Sequence, residues 1–107
     1  MTDSDTALYI TVLLYLVPGQ EQAFAEYEAY ALDLLVRHGG QVVCRVRPSG
    51  ETFLAPGQEH PYEIQVLAFP SSAIFEQFMQ DPARQARTDQ RRQAIRETLL
   101  ITGRVNR

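Results

Sequence analysis

Across residues 8–17 both alternate sets of side chains are apolar. One set is Leu8, Ile10, Val12, Leu14 and Leu16; the other is Tyr9, Thr11, Leu13, Tyr15 and Val17. A strand with one face in water alternates apolar with polar positions, so Ala7–Val17 predicts a strand that needs cover on both sides. Pro18-Gly19 closes it with a turn. From Gln20 to His38 the period changes to 3.6: Phe24, Tyr27, Ala31, Leu34, Leu35 and His38 share one side, and Glu21, Glu26, Asp33 and Arg37 the other. Gly39-Gly40 supplies the positive φ that ends a helix.

Gln41–Arg47 predicts a second strand, and Tyr62–Phe69 a third. Between them, residues 48–61 hold Gly, Pro and polar residues around Phe53-Leu54, a long hairpin connection that could carry a lid over a cavity or an arm onto a partner. Ser71 and Ser72 after Pro70 predict a helix start with a serine oxygen as cap. Asp81-Pro82 restarts that helix as a cap followed by a first-turn proline, and its polar second piece is expected to run to about Glu97. Leu99–Val105 is the fourth strand. Residues 1–6 are expected to be a disordered tail, and residues 7–107 a single domain.

The order β-α-β-β-α-β is that of the α+β, ferredoxin-like fold: a four-stranded antiparallel sheet with both helices on one face. Right-handed crossovers place the first and third strands in the centre. Simple alternation then assigns Ile10, Val12, Leu14, Val42, Cys44, Val46, Ile64, Val66 and Ala68 to the helix side. It assigns Tyr9, Thr11, Leu13, Tyr15, Val43, Arg45, Arg47, Glu63, Gln65, Leu67 and Phe69 to the open side. Two helices cover one face only, so the second calls for cover from outside the chain, most simply a second copy.

Composition narrows the partners. Of 107 residues, 45% are hydrophobic and 21% charged, an ordinary globular balance, and one core can form without metal or disulfide support. A net charge of −3 argues against non-specific binding to phosphate backbones, so no nucleic acid is expected. All ten basic residues are Arg, which removes Schiff-base lysine chemistry. Cys44 is the single cysteine, and His38 and His60 show no metal-ligand spacing, so no metal and no cofactor is expected. The apolar run ending at Pro18 is too short to cross a bilayer, and the acidic start is unlike a signal peptide. No membrane partner and a cytoplasmic location are the expectations.

Tyr9 opening the first strand, Tyr27…Leu34-Leu35…His38-Gly39-Gly40 at the first helix end, Phe69-Pro70-Ser71, Asp81-Pro82, Arg92 and the closing Ile101-Thr102-Gly103 form a recognisable set. On these residues the chain resembles the dimeric α/β-barrel superfamily, which includes the antibiotic-biosynthesis monooxygenases, and within it a small branch of uncharacterised domains. The resemblance covers nearly all of residues 8–105. It implies a homodimer through the open sheet face, with a ligand-sized cavity in each half between sheet and partner. Better-known relatives include cofactor-independent oxygenases and haem-degrading enzymes; the latter use a tryptophan beside the haem, and this chain has none.

The candidate site follows from the assigned open face. Arg45, Arg47 and Gln65 with Thr11 are candidates for ligand binding, and Glu63, Tyr9 and Tyr15 for proton transfer. Arg92 joins the ligand set on the resemblance alone. An arginine in a mostly apolar concavity holds a carboxylate or enolate with two parallel bonds. The same residues also fit a cross-strand Arg45–Glu63 ion pair with no ligand. His38 fits a capping or packing role, and Cys44 a core one. The remaining arginines of the second helix fit a solvated face. The functional expectation is a small-molecule protein, either an enzyme on a small anionic or aromatic metabolite or a non-catalytic homodimer that binds one.

Overall fold

The computed structural model describes residues 7–49 and 57–105. The expected lid or arm at Phe53-Leu54 and the tail at residues 1–6 lie outside these residues. The chain forms β1 (Leu8–Leu16), α1 (Glu21–Arg37), β2 (Gln41–Val46), β3 (Glu63–Phe69), α2 (Ser72–Gln80), α3 (Pro82–Gln85), α4 (Thr88–Ala94) and β4 (Ile95–Gly103). The sheet order is β2-β3-β1-β4, every pairing antiparallel. This is the ferredoxin-like arrangement, with β1 and β3 central and the helices on one face.

Local chemistry explains the helix ends. At the C-terminus of α1 the Gly40 amide bonds to the Leu35 carbonyl and the Gly39 amide to Val36, both at 2.9 Å. Gly39 takes φ +85°, the left-handed value this closure requires. A Cβ at Gly40 would lie 2.7 Å from the Leu35 side chain, so both glycines have a steric reason to be there. Ser71 Oγ accepts from the Ile74 amide at 3.2 Å and caps α2; Asp81 accepts from the Ala83 amide at 2.8 Å and caps α3 ahead of Pro82. His38 Nε2 sits 2.7 Å from Asp81 Oδ2 and packs edge-on against Phe78, tying the end of α1 to the α2–α3 corner. His38 therefore joins two helices.

The polar helix ends earlier than its composition suggests. Ile95 is already in the sheet, opposite Leu16, and Glu97 pairs with Tyr15. Burying Ile95 in the core and extending the ladder along β1 outweighs helix propensity over residues 95–97.

The core lies between sheet and helices. Leu8, Ile10, Val12 and Leu14 of β1 meet Phe24, Tyr27, Ala31, Leu34 and Leu35 of α1. The alternation assigned to β1 holds. That assigned to β3 is inverted, because the register pairs Leu8 with Phe69, Ile10 with Leu67, Val12 with Gln65 and Leu14 with Glu63. Directly paired residues share a face, so Glu63, Gln65, Leu67 and Phe69 point toward the helices and Ile64, Val66 and Ala68 away. Phe69 contacts Phe75 and Phe78 in T-shaped and tilted geometry, filling a volume Ala68 could not.

On β2 an irregularity between Val42 and Cys44 shifts the register by one residue. Val42 stays opposite Leu67 on the helix side. Beyond the bulge, Cys44 pairs with Val66 and Val46 with Ile64 on the open side, while Arg45 pairs with Gln65 on the helix side. Cys44 is consequently exposed rather than in the core. The open face carries Tyr9, Thr11, Leu13, Tyr15, Cys44, Val46, Ile64, Val66, Ala68, Leu99 and Ile101, with Glu97 at one end beside Tyr15, and its centre is more apolar than the sequence alternation suggested.

Candidate functional site

Arg45, Arg47, Glu63 and Gln65 do converge, but within the layer between sheet and helices. Arg45 Nε and Nη2 donate to the two oxygens of Glu63 at 2.8 and 3.2 Å, a fork-to-fork pair. Arg47 Nε donates to Glu63 Oε1 at 3.2 Å, and its guanidinium lies 4.7 Å over the Tyr62 ring. Glu63 is 1% exposed, whereas the two arginine side chains reach outward to the rim of the layer. Burial by itself would raise the Glu63 pKa; the hydrogen bonds from Arg45, Gln65 and Arg47 outweigh it and hold the carboxyl below its ordinary range.

Gln65 extends this pair across the fold. Its Nε2 donates to Glu63 Oε2 at 2.8 Å and to Glu28 Oε2, on α1, at 2.7 Å. Glu28 is 6% exposed. Burial raises its pKa, the Gln65 bond opposes that in part, and the nearby Glu63 charge adds to the rise. Two carboxylates bridged by one amide are thus pushed in opposite directions. Glu28 escaped the sequence reading, although its position held the signal: Phe24, Glu28, Ala31 and Leu35 follow one another at spacings of four, three and four, one buried helical stripe.

Glu28 and Gln65 line a cavity of about 270 Å³ between the sheet and the helices. Its walls are mainly apolar, with Ile10, Val12 and Leu67 from the sheet and Leu35, Phe75, Phe78 and Met79 from the helices. Leu100, on edge strand β4, lines it while 41% exposed, so one wall is open to solvent. The polar lining comprises Glu28, Gln65, Tyr27, Thr98, Arg84 and Arg91. Arg91 Nη2 donates to Thr98 Oγ1 at 2.5 Å, and Arg84 Nη1 reaches the Met79 carbonyl at 3.4 Å.

Among the described residues neither Arg84 nor Arg91 stands within 4.0 Å of a carboxylate oxygen. Burial presses the Arg84 pKa down; the Tyr27 hydroxyl opposes this and Arg91 adds to it. Burial raises the Tyr27 pKa, against the pull of Arg84 and Arg91. The cavity therefore contains two guanidinium groups whose charge no carboxylate at contact distance neutralises, and one carboxyl biased toward its neutral form.

The other candidates are elsewhere. Tyr9, Thr11 and Tyr15 belong to the open face, with Arg96 5.7 Å over the Tyr15 ring. Arg92 is exposed and outside the cavity wall; its neighbour Arg91 lines it instead. Among the described residues no group of three His, Cys, Asp or Glu side chains could hold a metal ion, and no helix is long and apolar enough to cross a membrane.

A model of a domain of unknown function, DUF1330, matches residues 11–104. Comparison with curated proteins finds no match. Among solved structures, a protein of unknown function from Rhodopseudomonas palustris is 22% identical, with a TM-score of 0.82 over 95% of this chain and 84% of that one. A dabb family protein with a ferredoxin-like fold from Mesorhizobium loti is 14% identical, with a TM-score of 0.67 over 94% and 97%. SnoaB, a cofactor-independent oxygenase from Streptomyces nogalater, is 11% identical, with a TM-score of 0.68 over 95% of each chain. At these identities the likeness is one of fold.

Proposed function

Because this chain belongs to the DUF1330 family, a family without an assigned activity, its function has to come from its own side chains, and we propose that it is a homodimeric enzyme acting on a small anionic, aromatic metabolite bound between sheet and helices. The observation that carries this reading is the pair Arg84 and Arg91 in an apolar cavity, without a carboxylate at contact distance and sharing its lining with a buried glutamate. Convergent polar groups in an apolar concavity are the usual makeup of a small-molecule site. A guanidinium matches a carboxylate in charge and geometry, and rings such as Phe75 and Phe78 suit a flat apolar body. A volume of about 270 Å³ fits a compound with one ring and a short side chain.

The location differs from that implied by the family resemblance, which placed the cavity between sheet and partner. In this reading the open face is the subunit contact and the cavity lies wholly behind it. Leu13, Ile64, Val66, Leu99 and Ile101 give that face a central apolar surface without charge, which a second copy related by a two-fold axis would match with its own. A non-catalytic binding protein is the second reading, favoured by the bonds from Arg45, Arg47 and Gln65 that occupy both oxygens of buried Glu63.

Calorimetric titration with phenylpyruvate tests the binding site. The expected result is saturable binding of one molecule per chain, weakened roughly tenfold or more by Arg91→Leu, the value of a charge-assisted hydrogen bond. Absence of binding to the unaltered protein, or equal affinity in Arg91→Leu, would overturn the assignment.

A further inference from the structure

Resting on that reading of the cavity, we propose that Glu28 is the catalytic base and that the substrate is a carbon acid, an anionic compound with a C–H bond next to a carbonyl, which the protein interconverts between its keto and enol forms. Three features of the geometry support this. Gln65 engages one oxygen of Glu28, Oε2, at 2.7 Å and fixes the carboxyl plane. The second oxygen, Oε1, makes no hydrogen bond among the described residues, yet no buried side-chain oxygen there lacks a partner. Oε1 therefore keeps accessible surface, and Glu28 lines the cavity.

Second, the two carboxylates divide the work. Glu63 is tied up by Arg45, Arg47 and Gln65 and does not line the cavity. It acts as a positioning residue, holding Gln65 against Glu28. A carboxyl whose surroundings favour its neutral form is a stronger base once ionised, and a pair of acids with opposed environments marks an acid–base site. Third, Arg84 and Arg91 line the same cavity and supply the positive charge that an enolate oxygen needs.

The chemistry balances without an oxidant or a second reactant. Glu28 takes the proton from the carbon beside the carbonyl, and the C–H electron pair becomes the enolate double bond. The carbonyl oxygen takes the negative charge next to a guanidinium. Returning the proton to oxygen gives the enol; returning it to carbon regenerates the ketone. The groups facing Glu28 are Gln65 and Glu63 from β3, Arg45 from β2, Arg91 from α4 and Tyr27 beside it on α1. Activity is expected to rise with pH as Glu28 ionises.

Phenylpyruvate in D2O, with loss of its benzylic proton signal followed by NMR, gives the readout. The unaltered protein is expected to accelerate exchange, and Glu28→Gln to remove roughly a hundredfold or more, the scale of a general base, while binding stays within about threefold, a change worth under 1 kcal/mol. Glu28→Asp, which keeps the carboxyl on a shorter stem, should retain part of the rate. Binding without accelerated exchange, or full exchange in Glu28→Gln, overturns this inference and leaves the binding site intact. Absence of binding overturns both.

Discussion

Gln65 on β3 donates to Glu28 on α1 across the interior of the fold, at 2.7 Å. The bond joins sheet and helix at the point where the cavity wall meets the half-buried ion pair of Glu63 and Arg45. A change at either carboxylate is therefore felt at the other through one amide group, and the consequences of each have opposite signs.

Glu63→Ala removes the acceptor shared by Arg45, Arg47 and Gln65. The arginines are partly exposed and can turn to water, but Gln65 is 3% exposed and loses one of its two acceptors. A loss of about 1–3 kcal/mol in unfolding free energy is expected, measured by urea denaturation. The deficit should shrink in acid: the folded pKa of Glu63 lies below its ordinary 4.5, so its contribution is present above that value and disappears as pH falls through the folded one.

Glu28→Gln is expected to act in the opposite direction. The folded pKa of Glu28 lies above its ordinary 4.5, so native protein keeps a proton that unfolded chain releases. Stability is full below 4.5 and falls as pH rises through the folded value. Glutamine keeps a carbonyl oxygen for Gln65 and never ionises. Its urea midpoint, relative to the unaltered protein, should climb as pH rises from 4.5 through the folded value; a constant difference would show that Glu28 does not titrate differently on folding.

The apolar surface of the open face predicts an assembly test. Leu13 lies on central strand β1 opposite Ile64 and Leu99. Placing a charge there should leave the helix-side core untouched. Sedimentation at micromolar concentration is expected to show dimers for the unaltered protein and monomers with native far-ultraviolet dichroism for Leu13→Arg. Dimers in both would place the contact on another surface.

Much of the fold was legible because its signals are local. The turn at Pro18-Gly19, the cap residues Ser71 and Asp81 and the closure at Gly39-Gly40 each act within a few residues, and all occupy the expected places. The orientation of β3 was not legible. Both of its alternate sets contain apolar residues, and the deciding fact, Phe69 opposite Leu8, is a pairing between residues at far ends of the intervening chain. The bulge near Val43 then turned Arg45 and Arg47 inward by shifting one strand by one residue. The cluster Arg45–Glu63–Gln65 survived because both strands were reversed together; Arg84 and Arg91 fit a solvated helix face on sequence alone and Glu28 carries no mark beyond its helical spacing, so only the third dimension brings these residues to one cavity.

Methyl NMR separates the two faces most directly, because neighbouring residues report on opposite sides of one sheet. Protein labelled at Ile, Leu and Val methyl groups would be titrated with phenylpyruvate. The expected result is saturable shifts at Ile10, Val12, Leu67 and Leu100, which line the cavity, with Leu13, Ile64, Leu99 and Ile101 unmoved. Shifts confined to the second group would put the ligand against the open face and contradict the assignment of the cavity.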